Sequence, residues 1–291
     1  MSKIKLIIIV VALVGFSLCS AAKKPGTAPA LHCSEDSVIL LQLIEKVSSD
    51  GGNTLGSRTM TAAKAMADLN IKAIEGKDTV ETVEINFHSA SPLSFINNAI
   101  AIAKTANLTS PTVEDFSSRL ENISFRKGEN TGFASKLFYG ADWIVDNVYR
   151  GNLEEKTEYM TGGGFKVKSL DYLSRHKEEF PALKDSLTLE QVKTMEMGLK
   201  SHRIPHLKKQ SAGNKPLHEL MNDGDIIIML SPETEFDVYD MGVIEMREGV
   251  PYLIHVSKGE GKVVADPYPL PRLFKLEGQH FYGYRWLRPT E

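Results

Sequence analysis

The apolar positions of this chain change period part-way along it. In the first half they recur at helical spacing: Val38, Leu41, Ile44 and Val47 within 36–48, an Ala-rich run over 61–69, and Phe95, Ile96, Ala99, Ile100, Ile102 and Ala103 within 92–105. Ser91 is placed to cap the third run and Pro92 suits its first turn. Helices are also predicted over 113–120, started by Thr112, and over 187–200. Residues 79–87 alternate Val80, Thr82, Glu84 and Asn86 with Glu81, Val83, Ile85 and Phe87, which predicts a strand. Residues 123–126 read as a short extended piece, and 159–167, with Gly162, Gly163 and Gly164 in a row, as a loop.

From about residue 222 the pattern is that of strands. Ile226–Leu230 is an apolar run behind an Asp-Gly-Asp turn, and 238–246 and 252–256 flank the turn Glu248–Gly249. Residues 262–265 follow Gly259-Glu260-Gly261, and 281–287 give a last strand. The four middle runs predict an antiparallel meander. A helical first half packed on an antiparallel sheet formed mainly by the C-terminal half is an α+β domain, with bounds 36–291. Asp240 and His255 interrupt two consecutive apolar strands. Pattern alone leaves two readings: a solvent-facing Asp with a core His bonded to backbone, or a pair facing each other across one ladder.

The first residues carry an address rather than a fold. Lys3 and Lys5 precede the apolar run Leu6–Phe16, and Ser20-Ala21-Ala22 supplies small residues for cleavage. The run is shorter than the roughly 20 residues a spanning helix needs. Residues 1–22 are therefore expected to be a signal peptide and 23–35 a flexible Pro/Ala/Gly linker, which sends the protein to the periplasm or cell surface. Lipidation of Cys19 is the alternative and the one route to a membrane; Leu18 before it does not suit that modification. Cys33 is then the sole cysteine left, so no internal disulfide forms, and it has no helix behind it to favour a thiolate. The formal charge of −3 becomes −5 without Lys3 and Lys5, and no basic run is present, which excludes a general nucleic-acid binder. No ligand set of characteristic spacing predicts a metal, and no cofactor motif is present: His202 and His206 have Pro205 between them, and His88 reads as an exposed strand end.

Several motifs carry a resemblance. They are Gly224-Asp225-Ile226-Ile227, Asp237-Val238-Tyr239-Asp240-Met241-Gly242-Val243, Leu253-Ile254-His255-Val256-Ser257, the block Phe95–Ala101, and the middle piece running from Arg126-Lys127-Gly128 to Tyr139-Gly140-Ala141-Asp142-Trp143-Ile144 and Asn147. From about Ala62 onward the chain resembles the papain-like NlpC-type cell-wall hydrolases, and more narrowly the branch called domain of unknown function 1460, N-acetylmuramoyl-L-alanine amidase-like. The resemblance implies a Cys at the start of a central helix that attacks an amide, a His base on a strand, and a polar residue on the next strand that orients the base.

At the corresponding positions this chain has Pro92, Asp240 and His255, with Ser91 before the first. A turn that carries Tyr in the family falls near Leu69–Ala73, and a family His is replaced by Phe138. The resemblance therefore implies a catalytically degenerate homologue whose groove, with Ser91, Ser94, Phe138, Tyr139, Trp143, Asp237, Tyr239 and Ser257 as candidates, binds a cell-wall muropeptide, another peptide or a protein partner. An active hydrolase using Ser91 or Ser94 with His255, and an interaction protein with a closed groove, are the competing expectations.

Overall fold

The computed structural model describes residues 34–74, 82–157 and 163–291. The expected signal peptide at 1–22, residues 23–33 of the expected linker, Cys19 and Cys33 lie outside the described residues; Ser34 and Glu35, expected at the linker's end, already belong to the first helix. The described residues begin with α1 (Ser34–Asp50), α2 (Leu55–Ala67) and, after the short strands β1 (Lys72–Ala73) and β2 (Ser89–Ala90), α3 (Pro92–Thr105). The helix α2 begins six residues before the Ala-rich run because Thr54 and Ser57 form a reciprocal cap. Ser91 and Ser94 do the same for α3, and Pro92 occupies its first position, where no backbone N–H is required.

There follow α4 (Val113–Ser124), α5 (Gly140–Tyr149), β3 (Leu153–Glu155), β4 (Gly163–Lys168), α6 (Tyr172–Arg175), α7 (Ser186–Met197), β5 (His202–Lys208) and α8 (Lys215–His218). The expected extended piece at 123–126 is instead the end of α4; only Phe125 is extended, bridging Lys136, before a single 3-10 turn at Arg126–Gly128.

The meander comes out as expected: β6 (Ile226–Leu230), β7 (Val238–Arg247), β8 (Val250–Ser257) and β9 (Lys262–Pro269), then α9 (Leu270–Leu276) and β10 (Gly283–Pro289). The strands join in one sheet of order β2-β1-β9-β8-β7-β6-β10-β5-β4, with β3 also on β10. All pairings are antiparallel except β1 with β2. Helices and a large, mostly antiparallel sheet make the α+β class. Glu248 and Gly249 both have positive φ, the two-residue turn that matches the twist of the β7–β8 hairpin.

Two expectations fail for local reasons. Residues 82–87 form no named strand, although Val83, Ile85 and Phe87 are buried. Their neighbourhood spends backbone donors on side chains: Asp36 Oδ1 accepts from Phe87 N, and Asn86 Oδ1 accepts from His88 N and Ser89 N. The described part of the glycine segment is not a loop but edge strand β4. A side chain at Gly163 would meet the His206 backbone oxygen at 2.9 Å, so glycine permits the close pairing with β5.

The sheet separates two cores. Alternation sends Ile226, Ile228, Met241, Val243, Ile254, Val256 and Val263 toward α1–α4, and Ile227, Met229, Ile244, Leu253, Tyr284 and Trp286 toward α8 and α9. A third cluster, rich in aromatics, gathers Phe133, Tyr139, Phe180 and Val192 around α7.

The turn before β6 is pinned to α2. Gly224 (φ +82) lies so close that a Cβ there would sit 2.0 Å from the Gly56 carbonyl oxygen. Gly224→Ala is therefore expected to cost about 2–5 kcal/mol, left-handed strain plus overpacking. Gly249→Ala, also at positive φ but with open space around it, should cost only the strain of about 1–2 kcal/mol. Urea unfolding of the two variants checks this, and equal losses would contradict it.

Candidate functional site

The start of α3 packs against β7 and β8, as the motif order predicts. Beside it lies a cavity of about 150 Å3 lined by Ala73, Ser91, Pro92, Phe138, Phe236, Val238, Tyr239, Met241 and Val256, with Lys136 and Lys258 in its wall. Of the candidates read from the sequence, Ser91, Pro92, Phe138 and Tyr239 meet here. The cavity is mostly apolar, and among the described residues no carboxylate or imidazole lines it.

Ser91 is half-buried and engaged: its Oγ accepts from Ser94 N at 3.1 Å and shares a 3.1 Å hydrogen bond with Ser94 Oγ. Ser94 in turn accepts from Ser91 N at 2.9 Å. Both serines are thus parts of one cap, and neither is bonded to His255. Tyr239 donates to Glu277 Oε2 at 3.0 Å, its ring stacks on His280, and Lys258 Nζ lies 4.2 Å from the ring centroid. Burial, then the Glu277 carboxylate, raise its pKa.

The other groove candidates serve the scaffold. Trp143 is fully buried and donates its indole N–H to Asn97 Oδ1 at 3.0 Å. Tyr139, also fully buried, donates to Glu196 Oε1 at 2.6 Å and accepts from Leu173 N. Asp237 is 1% exposed, and its two oxygens accept from Gly140 N at 3.1 Å and Ala141 N at 2.5 Å, capping α5. Burial raises its pKa, while those two amides, Lys168 and Arg285 pull the other way. Ser257 Oγ accepts from Glu260 N and closes the turn after β8. His88 lies 3.6 Å from Asp36, with its side chain half exposed.

Asp240 and His255 form the facing pair, not the solvent-facing Asp and backbone-bound His. Both are 4% exposed, and His255 Nδ1 meets Asp240 Oδ2 at 2.6 Å. On the far side His255 Nε2 lies 3.5 Å from Asp266 Oδ2, an ion pair longer than a hydrogen bond. The row spans three adjacent strands. His255 stands opposite Gly242 and Val264, which makes Asp240 and Asp266 its diagonal neighbours.

Burial works to lower the His255 pKa, but the Asp240 charge and hydrogen bond, followed by the Asp266 carboxylate, outweigh it and raise the value to about 10. The imidazole is therefore protonated at neutral pH and holds no lone pair for a base. Asp240 stands opposite Met229, so the row occupies the sheet face directed toward α8 and α9, whereas Met241 and Val256 face Pro92. Pro92 and the Asp240–His255 pair do not meet in one cavity. Asp266 completes the row and was missed in the sequence because Ala265-Asp266-Pro267 reads as the end of a strand. Among the described residues no group of three or more ligating side chains is arranged to hold a metal ion.

Residues 69–275 match the family described as AmiA-like, N-acetylmuramoyl-L-alanine amidase-like. The chain belongs to this family of amidase-like cell-wall hydrolases. It is similar to a crystal structure of an N-acetylmuramoyl-L-alanine amidase from Bacteroides uniformis, at 25% identity and a TM-score of 0.66 over 86% of this chain and 100% of that one. A Bacteroides fragilis structure provisionally named a xylanase is 28% identical, with a TM-score of 0.66 over 75% of this chain and 96% of that one. A Legionella pneumophila protein of the domain-of-unknown-function 1460 type shares the fold at 14% identity, with a TM-score of 0.66 over 88% and 95% of the two chains. No curated protein matches.

The raised His255 pKa has a sign. The folded value of about 10 exceeds the unfolded one of about 6.5. The pair's stabilisation is therefore complete below about pH 6.5 and lost as pH rises through about 10. His255→Ala should cost about 3–5 kcal/mol at pH 6 and should flatten the decline in unfolding midpoint between pH 7 and pH 10. An unchanged alkaline decline in that variant would contradict the assignment.

Proposed function

We propose that this protein is an exported, catalytically silent member of the amidase-like family, on a papain-like NlpC-type scaffold, that binds the peptide part of a cell-wall muropeptide beside Pro92. The observation that carries the reading is the start of α3. The resemblance puts a nucleophilic Cys there, and this chain has Pro92, which has no nucleophile. A cysteine hydrolase also needs a base within about 2.6–3.2 Å of its thiol. The wall around Pro92 offers Phe138, Val238, Met241 and Val256 instead.

The groove's size supports a binding role of limited reach. About 150 Å3 is below the roughly 300–1,000 Å3 of pockets that enclose a small molecule. It accommodates an apolar side chain of a bound peptide, with Lys136 and Lys258 near enough to attract carboxylates of the same ligand. Export rests on Lys3, Lys5, the apolar run Leu6–Phe16 and the small residues at 20–22. It places the protein in the periplasm or at the cell surface, with Cys19 as a membrane anchor only if it is lipidated.

Purified protein is expected to release no stem peptide from a muramyl-L-alanine substrate, yet to bind it in calorimetry. Lys258→Glu should weaken that binding several-fold. Pro92→Cys should remain inactive, because its thiol gains no base. Turnover by the wild type that is lost in Ser91→Ala, or the absence of binding, would sink the proposal.

A further inference from the structure

The sheet ends at β4. This strand pairs with β5 on one side, and among the described residues no strand covers the other. Its outer row of backbone N–H and C=O groups is a template for a further strand. Alternation sorts the side chains along it. Phe165 and Val167 stand on one face, both more than half exposed, with the Arg203 guanidinium 4.4 Å from the Phe165 ring centroid. Lys166 stands on the other face, its ammonium 4.3 Å from the centroid of the Tyr282 ring.

The charge at this edge has one sign. In a chain of net charge −3, β4 and β5 hold Lys166, Lys168, Arg203 and Lys208 and no acid. Lys168 is spent on the carbonyl oxygens of Ser231, Glu233 and Phe236. Among the described residues, the side chains of Lys166, Arg203 and Lys208 have no ion pair and no hydrogen bond. The neighbouring carboxylates are engaged: Asp237 by the α5 amides, Asp142 by Arg126 and Glu155 by Arg285. Glu233 is exposed and acts on Lys168. Burial, Lys166 and Lys208 lower the pKa of His206, which lies between those two lysines, against a hydrogen bond to the Ile204 backbone. Lysines on a sheet edge commonly guard it against a second copy of itself. That role accounts for Lys166 but not for the outward Phe165 and Val167. An edge that repels its own copy and carries two exposed apolar side chains admits a strand of opposite charge.

We propose that the outer edge of β4 is a docking site for an acidic, extended peptide segment of a partner protein, which adds a strand to the sheet. Its apolar residues would lie beside Phe165 and Val167, and the alternate carboxylates would meet Lys166 and Lys208 on the opposite face, with Arg203 taking an acid at the apolar rim. The site shares no residue with the groove beside Pro92 and does not depend on how that groove is read.

Calorimetric titration of the purified full chain with a soluble peptide of alternating Glu and Val is expected to show binding about tenfold tighter than with the same peptide carrying Lys for Glu, and than with an isomer whose Glu and Val are grouped in two blocks. Hydrogen exchange at the amides of 163–168 should slow in the complex. Val167→Glu and, independently, Lys166→Gln should each weaken binding several-fold. Neither side chain belongs to the core, so the thermal midpoint should hold within a few degrees. Equal affinity for the acidic and the basic peptide, or an affinity unchanged in whichever variant folds, overturns the proposal. Unaltered exchange at 163–168 with the acidic peptide bound overturns strand addition, and inorganic polyphosphate bound as tightly as that peptide overturns a peptide as the occupant.

Discussion

The buried carboxylate of Asp237 is the joint between the two halves of this protein. It sits at the entry to β7 and accepts from the first two amides of α5, which have no partner within their own helix. That contact requires the helix start to press on the strand, and Gly140 allows it: a Cβ there would lie 2.4 Å from Val238 Cγ2. Phe138 and Tyr139 just before the helix, and Phe236 just before the strand, are thereby drawn into one aromatic group with Tyr172 and Phe180. The wall of the groove beside Pro92 follows from this joint. Burial alone disfavours an ionised acid, and two aligned amides at a helix N-terminus are what make its position tolerable.

A second buried polar row, Asp240–His255–Asp266, works differently. It ties three adjacent strands by charge rather than by shape, and it holds its imidazole in the protonated form. Such a row is rigid and register-specific, because a slip of one residue would send each of its members to the other face of the sheet. The flanking carboxylates, by keeping the imidazole protonated, remove His255 from action as a base near neutral pH.

Much of this was legible in the sequence where a local rule decides. The bounds of α3 follow from Ser91, Pro92 and an apolar run at helical spacing, and β6 from its five apolar residues behind Asp-Gly-Asp. The facing of Asp240 and His255 was one of two readings the pattern left open, and the structure decides it. What was not legible depends on partners remote in sequence. Glycine reads as loop, yet Gly163 and Gly164 are in β4 because His206 approaches from β5. Residues 82–87 alternate like a strand, but Asp36 on α1 takes the Phe87 amide. Motif position likewise could not separate groove from scaffold. Trp143, Tyr139 and Asp237 point inward to Asn97, Glu196 and the α5 amides, whereas Phe138 and Tyr239, each adjacent to one of them, reach the cavity. The face taken by Asp240 depends on the register of β6 with β7, which shifts between Met229 and Leu230, and no single-strand pattern reveals that shift.

On the proposed reading, in which scaffold motifs persist around a changed groove, that pattern has a physical basis. Gly224, Asp225, Asp237, Gly140 and Trp143 each satisfy a buried polar group or a close backbone approach, so replacing any of them leaves an unpaired group or a clash. Pro92, Phe138, Met241 and Val256 at the groove carry no such obligation. Proline at the first position of α3 fixes φ where the helix requires it and gives up an N–H that has no intrahelical partner. Apolar side chains such as Met241 and Val256 extend the core between the sheet and α3. On the proposed reading, each departure from a reactive residue removes chemistry and improves packing or helix initiation at the same position. Exchanges of that kind accumulate at a site without weakening the fold around it.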